Sequence, residues 1–313
     1  MILKNCIRFF ATNFLLVWKN LVFKSIALAI SIFVFISFSR EFIIFLSQAE
    51  FGESFNFLIY NLSTISIETI STHFATMFDS FINVMILELS AFIYSILGLI
   101  LSLMIFTFLS GMAEATFCEL IRHKMSNSTN VGFIGTFVGK LRVNFKFAVA
   151  YTCIYLPLNL GGLIISLSAL SLIKLGAVWV FFAPIISIII IIVISSIVLT
   201  ALSWWPTLYV IQEISAWDAF KKSIQISKNR FKKYISDAII LVVGLLFINV
   251  VFGKYTFYIS LIITIPLSYI LSLIFKMIVC YNSQGMRYYI DDQIIVPKKF
   301  EQLDQLCDAK SVI

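Results

Sequence analysis

Histidine, cysteine and clustered carboxylates do most of the chemistry that proteins perform, and this sequence spaces them against it. The two histidines, His73 and His123, fall in segments that the topology below assigns to opposite sides of a membrane. A two-histidine metal site or shared proton relay is therefore not expected. Cys6, Cys118, Cys153, Cys280 and Cys307 are scattered without the close spacing of a zinc site or a disulfide scaffold, and they read as free thiols. Gly135-Thr136-Phe137-Val138-Gly139-Lys140-Leu141 approaches a phosphate-binding loop, but only three residues separate its glycines and Leu141 stands where Ser or Thr is needed. Nucleotide binding is rejected, and Gly132, Gly135 and Gly139 are expected to serve close helix or membrane approach. Asp291-Asp292, Glu301, Asp304 and Asp308 could bind metal or run acid–base chemistry, yet they have no histidine partner. The last three share one face of an expected tail helix whose other face is Phe300, Leu303 and Cys307, as in a salt-bridging or docking tail. No catalytic, metal or cofactor-binding set emerges, and no cofactor is expected.

The elements that would have to position any chemistry are apolar ones. Of 313 residues, 60% are hydrophobic and 12% charged, against about 25% charged in soluble domains. Mean hydropathy is +1.00. A single water-surrounded core cannot hide that much apolar surface, so a soluble globular enzyme is excluded. The net charge of +7 does not indicate nucleic acid, because the basic residues flank apolar runs. The expected class is all-α, a polytopic membrane helix bundle of about six transmembrane helices with interfacial amphipathic helices.

A bilayer core needs roughly 17–25 apolar residues per helix. Suitable windows are 21–38, 91–112, 147–172, 177–200, 238–252 and 255–280. The fifth is short and either crosses with the help of Lys254 at the interface or is re-entrant. The first is expected to be a retained span and not a cleaved signal peptide, since Ile30 to Phe38 stay apolar past Ala27-Leu28-Ala29. The membrane domain is thus 1–281, followed by a tail at 282–313.

Lys and Arg set orientation, because cytoplasmic connections retain them. They gather before the first span, in 113–146, in 201–237 and in the tail, whereas the other connections hold only Arg40, Lys174 and Lys254. This predicts the cell (inner) membrane with both termini cytoplasmic. The outer segment 41–90 carries Glu41, Glu50, Glu53, Glu68, Asp79 and Glu88 among apolar stretches. It is expected to form short amphipathic helices on the outer face or capping the bundle. Asn61-Leu62-Ser63 is a glycosylation sequon by pattern, meaningful only in a eukaryotic secretory setting. Trp204, Trp205 and Pro206 read as an inner interfacial belt.

Basic-aromatic lead-ins precede the three spans entered from the cytoplasm: Trp18-Lys19-Asn20 to Phe23-Lys24, Lys140-Leu141-Arg142 to Phe145-Lys146, and Lys228-Asn229-Arg230-Phe231-Lys232. Degenerate repeats and plain positive-inside bias account for them equally. The second places Phe133, Ile134, Phe137, Val138, Leu141 and Phe145 on one helical face, and the third has the stripe Ile214, Trp217, Phe220, Ile224 and Phe231. Ser215 and Asp218 supply a capping-box start. Both are expected to lie in the lipid headgroup plane. Lys221, Lys222, Lys228, Arg230, Lys232 and Lys233 form the candidate lipid-surface anchor. Anionic inner-leaflet lipid contributes about 1 kcal/mol per basic residue. A protein partner at the inner face is the companion expectation; nucleic acid is not expected.

Transport would need polar groups at mid-span. Ionisable residues are absent there; Glu88, Glu114 and Lys276 fall near span ends. The candidate intramembrane polar break is Pro157, Asn159, Gly161 and Gly162, supplemented by Pro184, Asn249, Pro266 and Ser268.

Residues 211–240, from Ile211-Gln212-Glu213 through Ala219, Lys222, Ser223 and Asn229-Arg230-Phe231, carry a resemblance. They resemble the segment between two spans in a loose superfamily of poorly characterised bacterial inner-membrane proteins. That superfamily includes the membrane domain attached to some glycerophosphodiester phosphodiesterases. Residues 113–146 resemble its earlier cytoplasmic segment more faintly. The resemblance implies a six-helix membrane domain and little chemistry; this chain departs from it in the long acidic outer segment, and no phosphodiesterase domain is expected among these residues. The sequence therefore points to a multi-pass membrane protein, non-enzymatic, with a structural or partner-binding role. The alternative is a permease or channel for a small, weakly polar or amphiphilic solute.

Overall fold

The fold is that of a computed structural model, which describes residues 2–61, 67–127, 131–175, 178–256, 260–290 and 293–296. It is an all-α polytopic bundle. The helices are α1 (Ile2–Thr12), α2 (Leu15–Gln48), α3 (Glu50–Asn61), α4 (Ile67–Leu87), α5 (Leu89–Asn127), α6 (Phe133–Gly139), α7 (Leu141–Leu170), α8 (Trp179–Ala201), α9 (Trp205–Gln212), α10 (Ala216–Tyr255) and α11 (Leu261–Gln284). A 3-10 turn at Ser171–Leu175 follows α7, and strands β1 (Tyr288–Ile290) and β2 (Gln293–Ile295) form an antiparallel hairpin. Seven helical segments among the described residues are long and apolar enough to cross a membrane. Their outward faces carry Phe33 at 73% exposure, Ile164 at 60% and Phe247 at 67%, a surface that only lipid can solvate. Small and hydroxyl residues such as Ala27, Ser31, Ser39, Ala91, Ala183 and Ser187 are buried instead. That inversion is how helices approach one another in lipid. The chain is therefore a membrane-embedded, multi-pass protein.

The seventh segment, Glu68–Leu87, lies in the region expected to hold short amphipathic helices. It has the lowest mean hydropathy of the seven, 1.2, because Glu68, His73 and Asp79 interrupt it. A search for charge-free windows passes over such a helix.

Two compact units divide the chain. The second comprises Ile26–Thr107 and Thr152–Ile194. Within it α3 and α4 pair, and the Ser80 hydroxyl accepts from the Phe51 amide at 3.1 Å. Phe42, Val84 and Ala91 make a small core closed by Phe81 and Phe92. Gly98 presses on Phe38, where a Cβ would come within 2.4 Å of the Phe38 Cβ, and beside it Ser95 donates to Ser39 at 3.0 Å. Ser71 donates to the Ile173 carbonyl at 3.3 Å, tying α4 to the 3-10 turn.

The first unit comprises Met1–Ser25, Phe108–Tyr151 and Ser195–Ile313. Its described ends meet. Amphipathic α1 buries Asn5, Cys6 and Phe9 and packs on α11, α10 and β1. Tyr288 is fully buried and its hydroxyl accepts from Asn5 at 2.9 Å; Arg8 donates to Gln293 at 3.0 Å. Burial raises the Tyr288 phenol above its ordinary range, against the hydrogen bonds from Asn5 and Asn282. Residues 286–290 and 293–296 are thus a docked hairpin and not the start of a free tail. Gly285 makes this turn possible, adopting φ 72° at the end of α11, a left-handed cap that glycine takes without strain.

Candidate functional site

The first unit concentrates the polar groups. Helix α10 starts where the capping box places it: Ser215 is extended and its Oγ accepts from the Asp218 amide at 3.2 Å. It then runs unbroken for 40 residues, about 60 Å at 1.5 Å per residue. The basic lead-in and the short fifth span are consequently one rod. The lead-in cannot lie flat in the headgroup plane as a separate helix while residues 238–252 cross, and this corrects the sequence expectation. Its buried stripe is also offset from the expected one: Ala216, Ala219, Ser223, Ser227 and Tyr234 face the protein, whereas Trp217 is 49% exposed. Small residues make up most of the seat of the helix and let it approach closely, while Trp217 is left outward.

Of the six anchor candidates, Lys221, Lys222, Lys228, Lys232 and Lys233 are exposed. Arg230 is half-buried and donates to the Ser283 carbonyl at the end of α11, so it fastens α10 and leaves the basic display to the lysines. Trp204 and Trp205, expected in an interfacial belt, are fully buried. Trp204 Nε1 donates to Ser283 Oγ at 2.7 Å and Trp205 Nε1 to the Ala216 carbonyl at 2.8 Å. Phe147, Tyr151 and Phe220 surround Trp205. Buried partners for both indole N–H groups make them core residues.

Two acidic residues of α5 are the features that sequence reasoning missed. Glu114, fully buried, receives Lys276 Nζ at 2.5 Å and the Tyr269 hydroxyl at 3.2 Å. Lys24 adjoins them, donating to Ser110 at 2.6 Å with its ammonium 4.3 Å from the Tyr269 ring centroid. Helices α2, α5 and α11 are pinned together there. Glu119, 2% exposed, accepts from Arg122 at 2.6 Å and Lys140 at 2.7 Å, and His123 Nε2 stands 3.2 Å away. His123 therefore faces a carboxylate and is not part of a solvated basic run. A Glu three residues before an Arg on a helix was the available signal. Lys276 within an apolar helix was the other.

The polar break is not built. Helix α7 continues through Pro157, Asn159 is exposed, and a Cβ at Gly161 or Gly162 would meet nothing within 4 Å. The same openness holds at Gly132, Gly135 and Gly139. Those glycines do not serve close helix approach; Phe133 and Phe137 of α6 pack instead against Phe23, leaving Ile134 at 76% and Val138 at 63% exposed. Asn249 does reach Ser268, at 3.1 Å, and Asn20 donates to the Pro266 carbonyl at 3.1 Å. These hydrogen bonds join helices. Cys6, Cys118 and Cys280 are buried free thiols and Cys153 is exposed; burial, aided by the Asp237 charge, pushes the Cys6 thiol far up. Asp291-Asp292, the acidic residues after 300, Cys307 and most of the Asn61 sequon lie outside the described residues.

No family model, curated protein or solved structure matches this chain.

Proposed function

We propose that this chain is a non-enzymatic structural protein of the cell (inner) membrane, whose α10 lysines engage anionic lipid at the cytoplasmic surface and present that surface to a protein partner. The observation that carries the reading is the pairing pattern. The carboxylates of Glu114 and Glu119 are committed to neighbouring cations, whereas the five exposed lysines in the first half of α10, Lys221, Lys222, Lys228, Lys232 and Lys233, make no ion pair with any described residue. A rigid, unneutralised basic face on a helix seated by small residues suits a polyanionic surface. The resemblance of residues 211–240 to bacterial inner-membrane domains accords with this.

Both ends are cytoplasmic in this proposal, by the distribution of Lys and Arg. The packing of α1 on β1 supports an even number of crossings. Six spans cross and Glu68–Leu87 rests at the outer surface. A permease role has no comparable support, since the residues that motivated it sit in an unbroken helix with Asn159 exposed.

The test places an environment-sensitive fluorophore at Lys228→Cys in nanodiscs. Adding phosphatidylglycerol to a phosphatidylcholine bilayer is expected to shift the probe to a less polar environment, and salt to reverse the shift. The same probe with Lys221, Lys222, Lys232 and Lys233 changed to Gln is expected not to respond. Equal spectra in both lipids would overturn the lipid assignment.

A further inference from the structure

We propose that the cleft between the α1–α2 junction and α5 binds the phosphate of an anionic phospholipid between Lys19 and Lys124. The cleft measures about 500 Å³ and includes both lysines, Thr12, Asn13, Leu120 and Gly132, with no acidic side chain among the described residues that line it. Both lysines are half-buried and near enough for Lys19 to repel Lys124. Neither forms an ion pair with a described residue. Their neighbours in the chain behave differently: Arg122 and His123 turn to Glu119, and Lys24 to Ser110. Two partly desolvated like charges sharing one concavity raise its energy until an anion enters. Two ammonium groups can then donate charge-assisted hydrogen bonds to the separate oxygens of one phosphate.

The surroundings select a lipid over a free ion. Leu15 at the rim is 66% exposed and Trp18, one residue before Lys19, is 49% exposed. Apolar surface beside paired cations fits an acyl-bearing anion, and tryptophan favours the headgroup level. Gly132 leaves the opposite wall open, since a Cβ there would meet nothing within 4 Å. A bound headgroup would brace the kink where α1 passes into α2 against α5.

This site shares no residue with the α10 face, so the two readings fail separately. Native mass spectrometry of the detergent-purified full chain, with phosphatidylglycerol or phosphatidylcholine added, tests it. The wild type is expected to retain phosphatidylglycerol preferentially, and the Lys19→Gln/Lys124→Gln pair to lose that retention by roughly 30-fold, about one unit of headgroup attraction per lysine. Excess inorganic phosphate is expected not to displace the lipid. The α10 lysine variant is expected to keep this retention. Should the Gln pair not fold, Lys19→Arg/Lys124→Arg, which preserves charge, is expected to retain phosphatidylglycerol while Lys124→Ala alone weakens it. Unchanged retention in the Gln pair or in Lys124→Ala, equal retention of phosphatidylcholine, or displacement by inorganic phosphate would overturn the lipid site.

Discussion

Glu114 and Glu119 sit little more than one turn apart on α5, and both carboxylates are buried, at 0% and 2% exposure. Their cations are not alike. Lys276 is itself buried at 7% and comes from α11, so its pair with Glu114 welds segments far apart in the sequence. Arg122 belongs to the same helix as Glu119, and the Lys140 side chain is 42% exposed. A buried pair has few alternatives to its partner, whereas a carboxylate with three neighbours at a wet edge can lose one. The contrast separates what holds the bundle together from what tunes its surface.

The widest gap between the two sites should open on removing one cation from each. Lys276→Met leaves the Glu114 carboxylate without its closest cation in a buried setting, and an expected loss of about 3–5 kcal/mol follows from breaking a buried pair. Thermal unfolding in detergent reads this; a loss no larger than that of a surface change would mean that Lys24 and Tyr269 already satisfy Glu114. Lys140→Ala is expected to cost less than about 1 kcal/mol, because Arg122 and His123 remain beside Glu119. A loss as large as that of Lys276→Met would erase the distinction.

Much of the bundle was legible in the sequence because lipid imposes a length and a composition on each crossing. Each of the six expected windows overlaps a long apolar helix, although 177–200 and 255–280 begin ahead of the helices that start at Trp179 and Leu261, and the Ser215–Asp218 start is where the capping pattern put it. Less was legible wherever side-chain direction decides. Trp204 and Trp205 have the composition of an interfacial belt, and only packing against Phe147, Tyr151 and Ser283 makes them core. Hydrophobic periodicity placed the large residues of α10 on the packed face, although in lipid the small ones pack closest. Glu114 and Lys276 are far apart along the chain, so their pairing has no local signature. Pro157 and two nearby glycines suggested a break, yet the backbone of α7 tolerates them without opening. Proline is accommodated in membrane helices by local adjustment.

The topology and the exposed basic helix can be tested together by sidedness. Single cysteines at Lys4, Lys228 and Ile294, which are all exposed, would be probed with a membrane-impermeant thiol reagent over the labelling of the wild type. All three are expected to stay unlabelled in intact cells and to react in inverted vesicles. Labelling of Lys228→Cys from outside, or of Lys4→Cys and Ile294→Cys from opposite sides, would contradict a chain whose ends and α10 lysines share the cytoplasmic surface.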